Sequence, residues 1–355
     1  MSVLTSQIRT TLTEKSSLPE VDFNNVPFGR VFSDHMLVAQ FEDGAWKDPE
    51  IVPYGPLPFY PSLMALNYGQ SIFEGMKAFR GIEGDVRMFR PRANFERMNK
   101  SAARMSMQQL PEHVFLDGLR ALLELDKGWV PSEEQGSLYI RPLYFASDQF
   151  IGVHSSENYT FTIFTCPVGA YYSRPVNLVV NKDFVRAAPG GTGAAKAAGN
   201  YAGAMLPDKI AKSQGYDNVL WLDAKELTYV EECGTMNVFF IIDGTVITPN
   251  LSGTILPGIN RASAIQLLKD NGYKVEERPI SIHEIEAAYM DGKLEDCFGA
   301  GTAATISHVA KIGYAGRDMI LPPVEDRAIS NWVKETMHDI KTGAKSDPYG
   351  WIERV

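Results

Sequence analysis

Cysteine is scarce in this chain: its 355 residues include three, Cys166, Cys233 and Cys297, widely spaced and without a C-x-x-C pair. That excludes a disulfide framework or a thiolate zinc site and suits a reducing compartment, so no metal and a cytoplasmic location are expected. No run of about 18 apolar residues occurs, so nothing is expected to span a membrane. The Ser/Thr-rich stretch Met1–Glu20 has neither the apolar core of a signal peptide nor an arginine-rich transit pattern. It reads as a mobile arm or a short surface helix. Positive charge is also in deficit, 34 Lys and Arg against 43 Asp and Glu for a net −9. This argues against a general affinity for nucleic acid or anionic membranes, though a local basic pocket for a phosphate stays open.

What is present is ordinary for a globular protein, 45% hydrophobic and 22% charged residues. The length favours two domains. Val31–Gln40 reads as a strand, and Pro53, Pro56, Pro58 and Pro61 mark an irregular loop. Phe95, Met98, Ala102 and Met105 recur at helical spacing over Arg92–Met105, and Phe115–Leu125 is a second amphipathic helix. Ser137–Phe145 and Tyr159–Val168 are β-rich. Gly169–Pro175 (GAYYSRP) then turns a corner, giving a small domain over 1–168, an interdomain loop over 169–179 and a larger domain over 180–355. In the second half Val176–Asn181, Asn218–Leu222 and Val238–Ile242 are strands, and Asp243-Gly244 is a hairpin turn into Val246–Thr248. Asn260–Asp270 and Ile285–Asp291 are helical. Strands and helices mixed in both halves imply an α/β or α+β enzyme.

Four features could carry chemistry. In GGTGAAKAAGNYAG, Gly190–Gly203, Lys196 stands alone among alanines and glycines. A lysine in an apolar setting loses hydration, its pKa falls, and the neutral amine becomes a nucleophile for an aldehyde. The same residues also fit a surface lysine on a glycine loop. In TYVEECGTMN, Glu231 and Glu232 precede a glycine turn; strand alternation allows at most one to face inward, where it could pair with a pyridinium nitrogen. Two solvated glutamates fit equally. LPGINR puts Gly258, Ile259 and Asn260 at a helix N-terminus suited to an anion, and FGAGTAA, Phe298–Ala304, is a small-residue loop with the Thr302 hydroxyl. Arg97 lies off its helix's apolar stripe, either solvated or reaching a phosphate. Finally, Tyr139 and Arg141 are two apart on a strand and share a face that could orient a substrate, with Tyr68 and Phe73 nearby in NYGQSIFEG.

GRVFSDHM, SIFEGMKAFRG, SLYIRP, GGTGAAKAAGNY, EECGTMN, ILPGINR and GAGTAA occur in that order. Together they resemble the branched-chain amino-acid aminotransferases among the fold-type IV pyridoxal-phosphate enzymes, from Phe28 to beyond Ala304. The resemblance implies a two-domain α/β (α+β) fold and pyridoxal 5'-phosphate as cofactor. Lys196 matches the lysine that binds the cofactor aldehyde and then shuttles a proton. Glu232 matches the acid beside the pyridine nitrogen, and Tyr201 the partner of the phenolic oxygen. Arg97, Ile259, Asn260 and Thr302 match the phosphate cup. Phe28, Tyr68, Phe73, Tyr139, Arg141, Val153, Tyr171, Thr235 and Ala303 match the substrate pocket, Tyr68 and Val153 coming from or abutting a partner subunit in family dimers. Implied substrates are L-leucine, L-isoleucine, L-valine and glutamate with their 2-oxo acids, in a ping-pong reaction of a homodimer. Three positions depart from the pattern: Asn260 stands where threonine is common, Cys233 where a small apolar residue is usual, and Ala304 and Ser307 where some animal members carry a redox C-x-x-C pair. A D-amino-acid aminotransferase or an aminodeoxychorismate-type lyase of the same fold would share Lys196 and Glu232.

Overall fold

The computed structural model describes residues 8–169 and 174–355, so Tyr171 lies outside the described residues. The chain divides into two compact units, Met1–Gly169 with Ile340–Val355, and Ala170–Asp339.

The first unit is built on β1 (Arg9–Thr10), β2 (His35–Glu42), β3 (Ala45–Trp46), β4 (Glu50–Pro53), β5 (Ser71–Phe73), β6 (Met76–Arg80), β7 (Val86–Phe89), β8 (Ser137–Ala146) and β9 (Tyr159–Val168), with helices α1 (Met64–Tyr68), α2 (Pro91–Arg104) and α3 (Gly118–Leu125). The sheet runs β1-β4-β2-β9-β8-β6-β7, with β3 on β2 and β5 on β8. β8 and β9 form a ten-residue antiparallel ladder from Ser137–Val168 to Ala146–Tyr159. Their near-continuous burial explains why both read as apolar runs. α2 starts on Pro91, whose fixed φ suits the first helical position, and buries Asn94, Arg97, Met98, Ser101 and Ala102. Arg97 therefore belongs to the covered face, against the solvated alternative. The second amphipathic run opens as a π-turn over His113–Asp117 before α3. From residue 8 on the N-terminal stretch is not a free arm: β1 pairs in parallel with β4, Thr13 N–H donates to His35 Nε2 at 3.0 Å, and a short exposed 3-10 turn follows over Leu18–Glu20.

The second unit contains β10 (Val176–Val180), α4 (Ala198–Ser213), β11 (Asn218–Leu222), β12 (Val230–Cys233), β13 (Met236–Ile242), β14 (Thr245–Thr248), α5 (Ile259–Asp270), β15 (Val275–Glu277), α6 (Ile282–Met290), β16 (Leu294–Gly301), β17 (Thr305–Tyr314) and β18 (Arg317–Ile320). β12 bonds to both β11 and β13, so β10, β11, β12, β13, β16 and β17 close into a ring. A closed ring leaves none of these six strands as an unpaired edge. One apolar cluster draws on all six, with Leu178, Leu220, Leu222, Val230, Cys233, Val238, Phe240, Cys297 and Val309. Asp243 and Gly244 both adopt positive φ, 49° and 71°, as a two-residue hairpin turn requires. Phe298–Ala304, expected as a loop, is strand as far as Gly301, since its small residues pack between β13 and β17.

Helix α7 (Ala328–Thr342) leads to β19 (Ile352–Arg354). β19 pairs antiparallel with β7, and Trp351 meets Phe89 edge-on at 5.7 Å between ring centres. The last sixteen residues thus belong to the first unit, correcting the expected 180–355 domain, because a strand completes a sheet wherever it finds an open edge. The expected interdomain loop 169–179 also ends early, at the start of β10.

Candidate active site

In the second unit the lysine loop is held in place by its own helix. Asn200, in the first turn of α4, accepts from Thr192 Oγ1 at 2.6 Å and donates to the carbonyls of Thr192 and Ala195 at 2.8 and 2.9 Å. Between these anchors Ala195 and Ala197 are buried and Lys196 is half-buried. Its Nζ donates to Tyr201 Oη at 2.8 Å and lies 5.2 Å from that ring's centre. The glycines before it serve close approach: a Cβ on Gly193 would fall 2.3 Å from the Thr254 carbonyl oxygen. This is a braced loop, not a mobile surface one.

The two glutamates depart from simple alternation. Leu220 pairs with Cys233 and Trp221 with Glu232, but Leu222 pairs with Val230, so Glu231 is an inserted residue, a β-bulge. Val230 and Cys233 both point into the barrel cluster, and both glutamates are buried. The expectation that at most one faces inward is wrong, because a bulge resets the alternation. Glu232 Oε1 accepts the Leu256 N–H at 2.7 Å, and its Oε2 lies 3.2 Å from Arg186 Nε without the alignment of a hydrogen bond. Burial pushes the Glu232 carboxyl above the usual carboxylate range, opposed mainly by Arg186. Glu232 opens onto a small cleft of about 20 Å³ that it shares with Arg186, Asn200, Tyr201, Ala204, Gly234 and Thr235.

The segment Leu256–Arg261 leaves the glutamates and enters α5. Gly258 is its N-cap, without a side-chain cap, and any Cβ there would strike Asn237 Oδ1 at 1.9 Å. Asn260 Nδ2 donates to the Gly301 carbonyl at 2.8 Å, tying the start of α5 to the turn carrying Thr302 and Ala303. Two backbone turns and the positive end of α5 converge there, an arrangement suited to an anion.

In the first unit Phe28, Phe73, Tyr139 and Arg141 come together. Arg141 Nη2 donates to Tyr139 Oη at 3.1 Å, and its guanidinium lies 4.6 Å over the Phe73 ring. Phe28 meets Tyr139 edge-on at 5.6 Å. Tyr139 can lie flat because residue 75 is glycine, where a Cβ would fall 2.3 Å from its hydroxyl. Arg141 Nε is buried with no hydrogen-bond partner. Tyr68 and Val153 are not part of this group; Tyr68 ends α1 and Val153, 89% exposed, lies on a loop, the two segments being joined through the Leu63–Gln149 bridge. Arg97 is held by Glu74, which accepts from its Nε at 2.8 Å and Nη2 at 2.7 Å.

Residues 71–312 match the family model for amino-transferase class IV. The whole chain is 44% identical to branched-chain-amino-acid aminotransferase 2 of Bacillus subtilis, over 98% of that protein's length. This chain belongs to the branched-chain-amino-acid aminotransferases. Two solved structures of the family agree. The enzyme of the archaeon Thermoproteus uzoniensis, crystallised with norvaline, has a TM-score of 0.74 at 26% identity, covering 90% of this chain and 99% of its own. The branched-chain amino acid aminotransferase of Escherichia coli has a TM-score of 0.70 at 26% identity, covering 89% of this chain and 98% of its own.

Two departures from the branched-chain aminotransferase pattern now have physical readings. Asn260 uses its side chain to brace Gly301, as suits a site where backbone amides hold the anion. Cys233 faces the barrel interior, fully buried, with its thiol held protonated by desolvation. Several residues were missed in the sequence. Glu74 and Asn200 lay inside quoted motifs but carried no distinguishing signal; Arg186 and Thr254 act through distant partners that spacing cannot show. Lys77 stands opposite Tyr139 in the β6–β8 register, its amine pushed down to about 8 by burial. Glu74 is fully buried, so Glu74→Ala leaves the buried Arg97 guanidinium without this partner. We expect a loss of about 3–5 kcal/mol in urea unfolding; a loss below about 1 kcal/mol would mean that water screens the pair.

Proposed function

We propose that this protein transfers the amino group between L-leucine, L-isoleucine or L-valine and 2-oxoglutarate, with pyridoxal 5'-phosphate held by Lys196. The observation that carries the reading is the Lys196–Tyr201 pair beside a cleft lined by the buried Glu232. These residues fit the group: an amine for an aldehyde, a phenol beside it, an acid for a ring nitrogen, and an anion-binding helix start at Ile259 and Asn260. Bound pyridoxal phosphate supplies an aldehyde that carries the amino group and a ring that withdraws electrons.

The protein's own residues do the rest. The Lys196 amine removes the proton from the substrate Cα and returns it on the far side of the transfer, with Tyr201 Oη fixing its direction. Glu232 holds the proton on the ring nitrogen. Ile259, Asn260 and Thr302 would hold the phosphate, while Thr235 and Ala303 would hold the substrate α-carboxylate. Phe28, Phe73 and Tyr139 bound an apolar slot, and Arg141 with Tyr139 accepts the second carboxylate of glutamate. The exposed apolar side chains Tyr60, Leu66, Phe150, Ile151 and Val153 support a homodimer in which Tyr68 and Val153 meet the partner. No helix among the described residues is long and apolar enough to cross a membrane, and the three buried free cysteines suit a cytoplasmic location.

Substrate choice tests the reading. One methylene in such a slot is worth roughly 1–3 kcal/mol, so the three branched substrates should differ modestly and alanine should be considerably worse. Aspartate should fail because its short carboxylate is buried short of Arg141, whereas glutamate reaches it. The measurement is the single-turnover loss of cofactor absorbance with each amino acid. A D-amino acid or aspartate faster than L-leucine and L-isoleucine would favour the other enzymes of this fold.

A further inference from the structure

The bulge in β12 buries a second carboxylate, Glu231, beside Glu232, and no step proposed above uses it. Glu231 Oε1 accepts from Thr254 Oγ1, itself bonded to Ser252 Oγ at 2.7 Å, while Glu231 Oε2 is buried with no hydrogen-bond partner. Such a group destabilises the fold, since a buried carboxyl oxygen without a donor loses water and gains nothing. Its retention therefore has to be sought in function. The charged groups around it are few. Arg186 acts on both glutamates and is tied to the Thr254 carbonyl and, at 3.3 Å, to the Gly193 carbonyl of the lysine loop. Lys196 acts on Glu232, and Asp223 is a like charge for Glu231. The neighbouring Cys233 thiol is neutral, its pKa raised by burial.

Alone, Arg186 and Glu232 would neutralise each other. Glu231 is joined to the same guanidinium through Thr254. Two buried carboxylates thus share Arg186 as their principal cation, Lys196 acting more weakly and on Glu232 alone, and a proton on the pair meets the remaining negative charge. We propose that Glu231 is a positioning residue that, through Arg186, makes the Glu231–Glu232 pair hold one proton at the cleft, ready for a ring nitrogen at Glu232. The transfer balances without a further reagent: a carboxyl O–H bond breaks, an N–H bond forms, and the positive charge on the ring replaces the proton the pair has given up. Burial raises both carboxyls, Glu231 against its bond from Thr254 and both against Arg186, as a proton-holding pair requires. The inference rests on the reading of Glu232 given under Proposed function.

The test compares wild type with Glu231→Gln, which keeps the shape and removes the charge. Two probes are used, pyridoxal phosphate and its analogue with the ring nitrogen replaced by carbon, which cannot take the proton. Glu231→Gln should weaken pyridoxal phosphate about tenfold or more at pH 8 and leave the carbon analogue unchanged. The cofactor-free proteins give a second readout. A carboxyl raised by folding stabilises below its unfolded pKa and loses that contribution as pH rises through the folded one. Glu231→Gln should therefore gain in melting temperature over wild type as pH rises from 5 to 8. Glu231→Met, which also removes the charge, should show the same split between probes and carries the test should the first variant not fold. Equal weakening of both probes would make Glu231 a mere brace and overturn the proposal, as would no weakening. Wild type failing to bind pyridoxal phosphate would overturn instead the reading of the whole site.

Discussion

Lys196→Ala should lose amino-group transfer by about 10⁴-fold or more, because one side chain is both covalent anchor and general base. The absorbance of lysine-bound cofactor should vanish with it. Cofactor should still associate, since the start of α5 and the Thr302 turn are untouched by the change. The fold should also survive: Lys196 is half-buried, and the loop is held by Asn200 through the Thr192 and Ala195 carbonyls. A melting temperature close to wild type would then show that the loss is chemical. Lys196→Arg keeps a cation there but cannot act as base at neutral pH, so it should be nearly as inactive. Measurable turnover in either variant, beyond about one part in a hundred of wild type, would place the base elsewhere.

Glu232→Gln should slow transfer about 10²–10³-fold, the scale of removing one preorganised electrostatic contact. The amide oxygen can still accept the Leu256 N–H, so the turn into α5 should stay in place. What is lost is the charge that keeps a proton on a ring nitrogen. Stability should move the other way. Burial raises the Glu232 carboxyl, so ionising it costs the fold more as pH rises, and the amide removes that cost. The expected signature is a slower enzyme of equal or higher melting temperature at pH 8, with lysine-bound cofactor still visible. If Glu231→Gln slowed transfer severely and Glu232→Gln did not, the two glutamates would have been assigned the wrong way round.

Oxidation follows from burial. Cys166, Cys233 and Cys297 are all buried, and desolvation pushes the Cys166 thiol up to about 11. With Ala304 and Ser307 in place of a cysteine pair, the site carries no thiol switch of the animal kind.

Local signals were read well where one residue type dictates geometry. The helix expected over Arg92–Met105 is α2 to within a residue at either end, Asp243-Gly244 made its hairpin, and Tyr159–Val168 is a strand over the full expected span. Lys196, Tyr201 and Glu232 took their expected roles from the family resemblance; in the fold the lysine and tyrosine, five residues apart, meet in a hydrogen bond, and Glu232, two residues before Gly234, is buried. The misreadings share one cause. Strand alternation assigned one inward glutamate, helical periodicity left Arg97 outside the apolar stripe, and small residues suggested a loop at Phe298–Gly301. Each rule assumes regular structure and a solvent-facing alternative.

The sequence alone determined the order of elements, the family and the chemical groups available, because these depend on side-chain identity and spacing of a few residues. Tertiary structure decided how they are used. It closed six strands into a ring by pairing β12 with both β11 and β13, sent β19 back to β7, and paired Arg97 with a glutamate twenty-three residues away. It also put Arg186 between the lysine loop and two glutamates that a single inserted residue turned toward it. Those outcomes depend on which distant groups are desolvated together. A buried charge is settled by the partner that the whole fold brings to it, and no local window of sequence contains that partner.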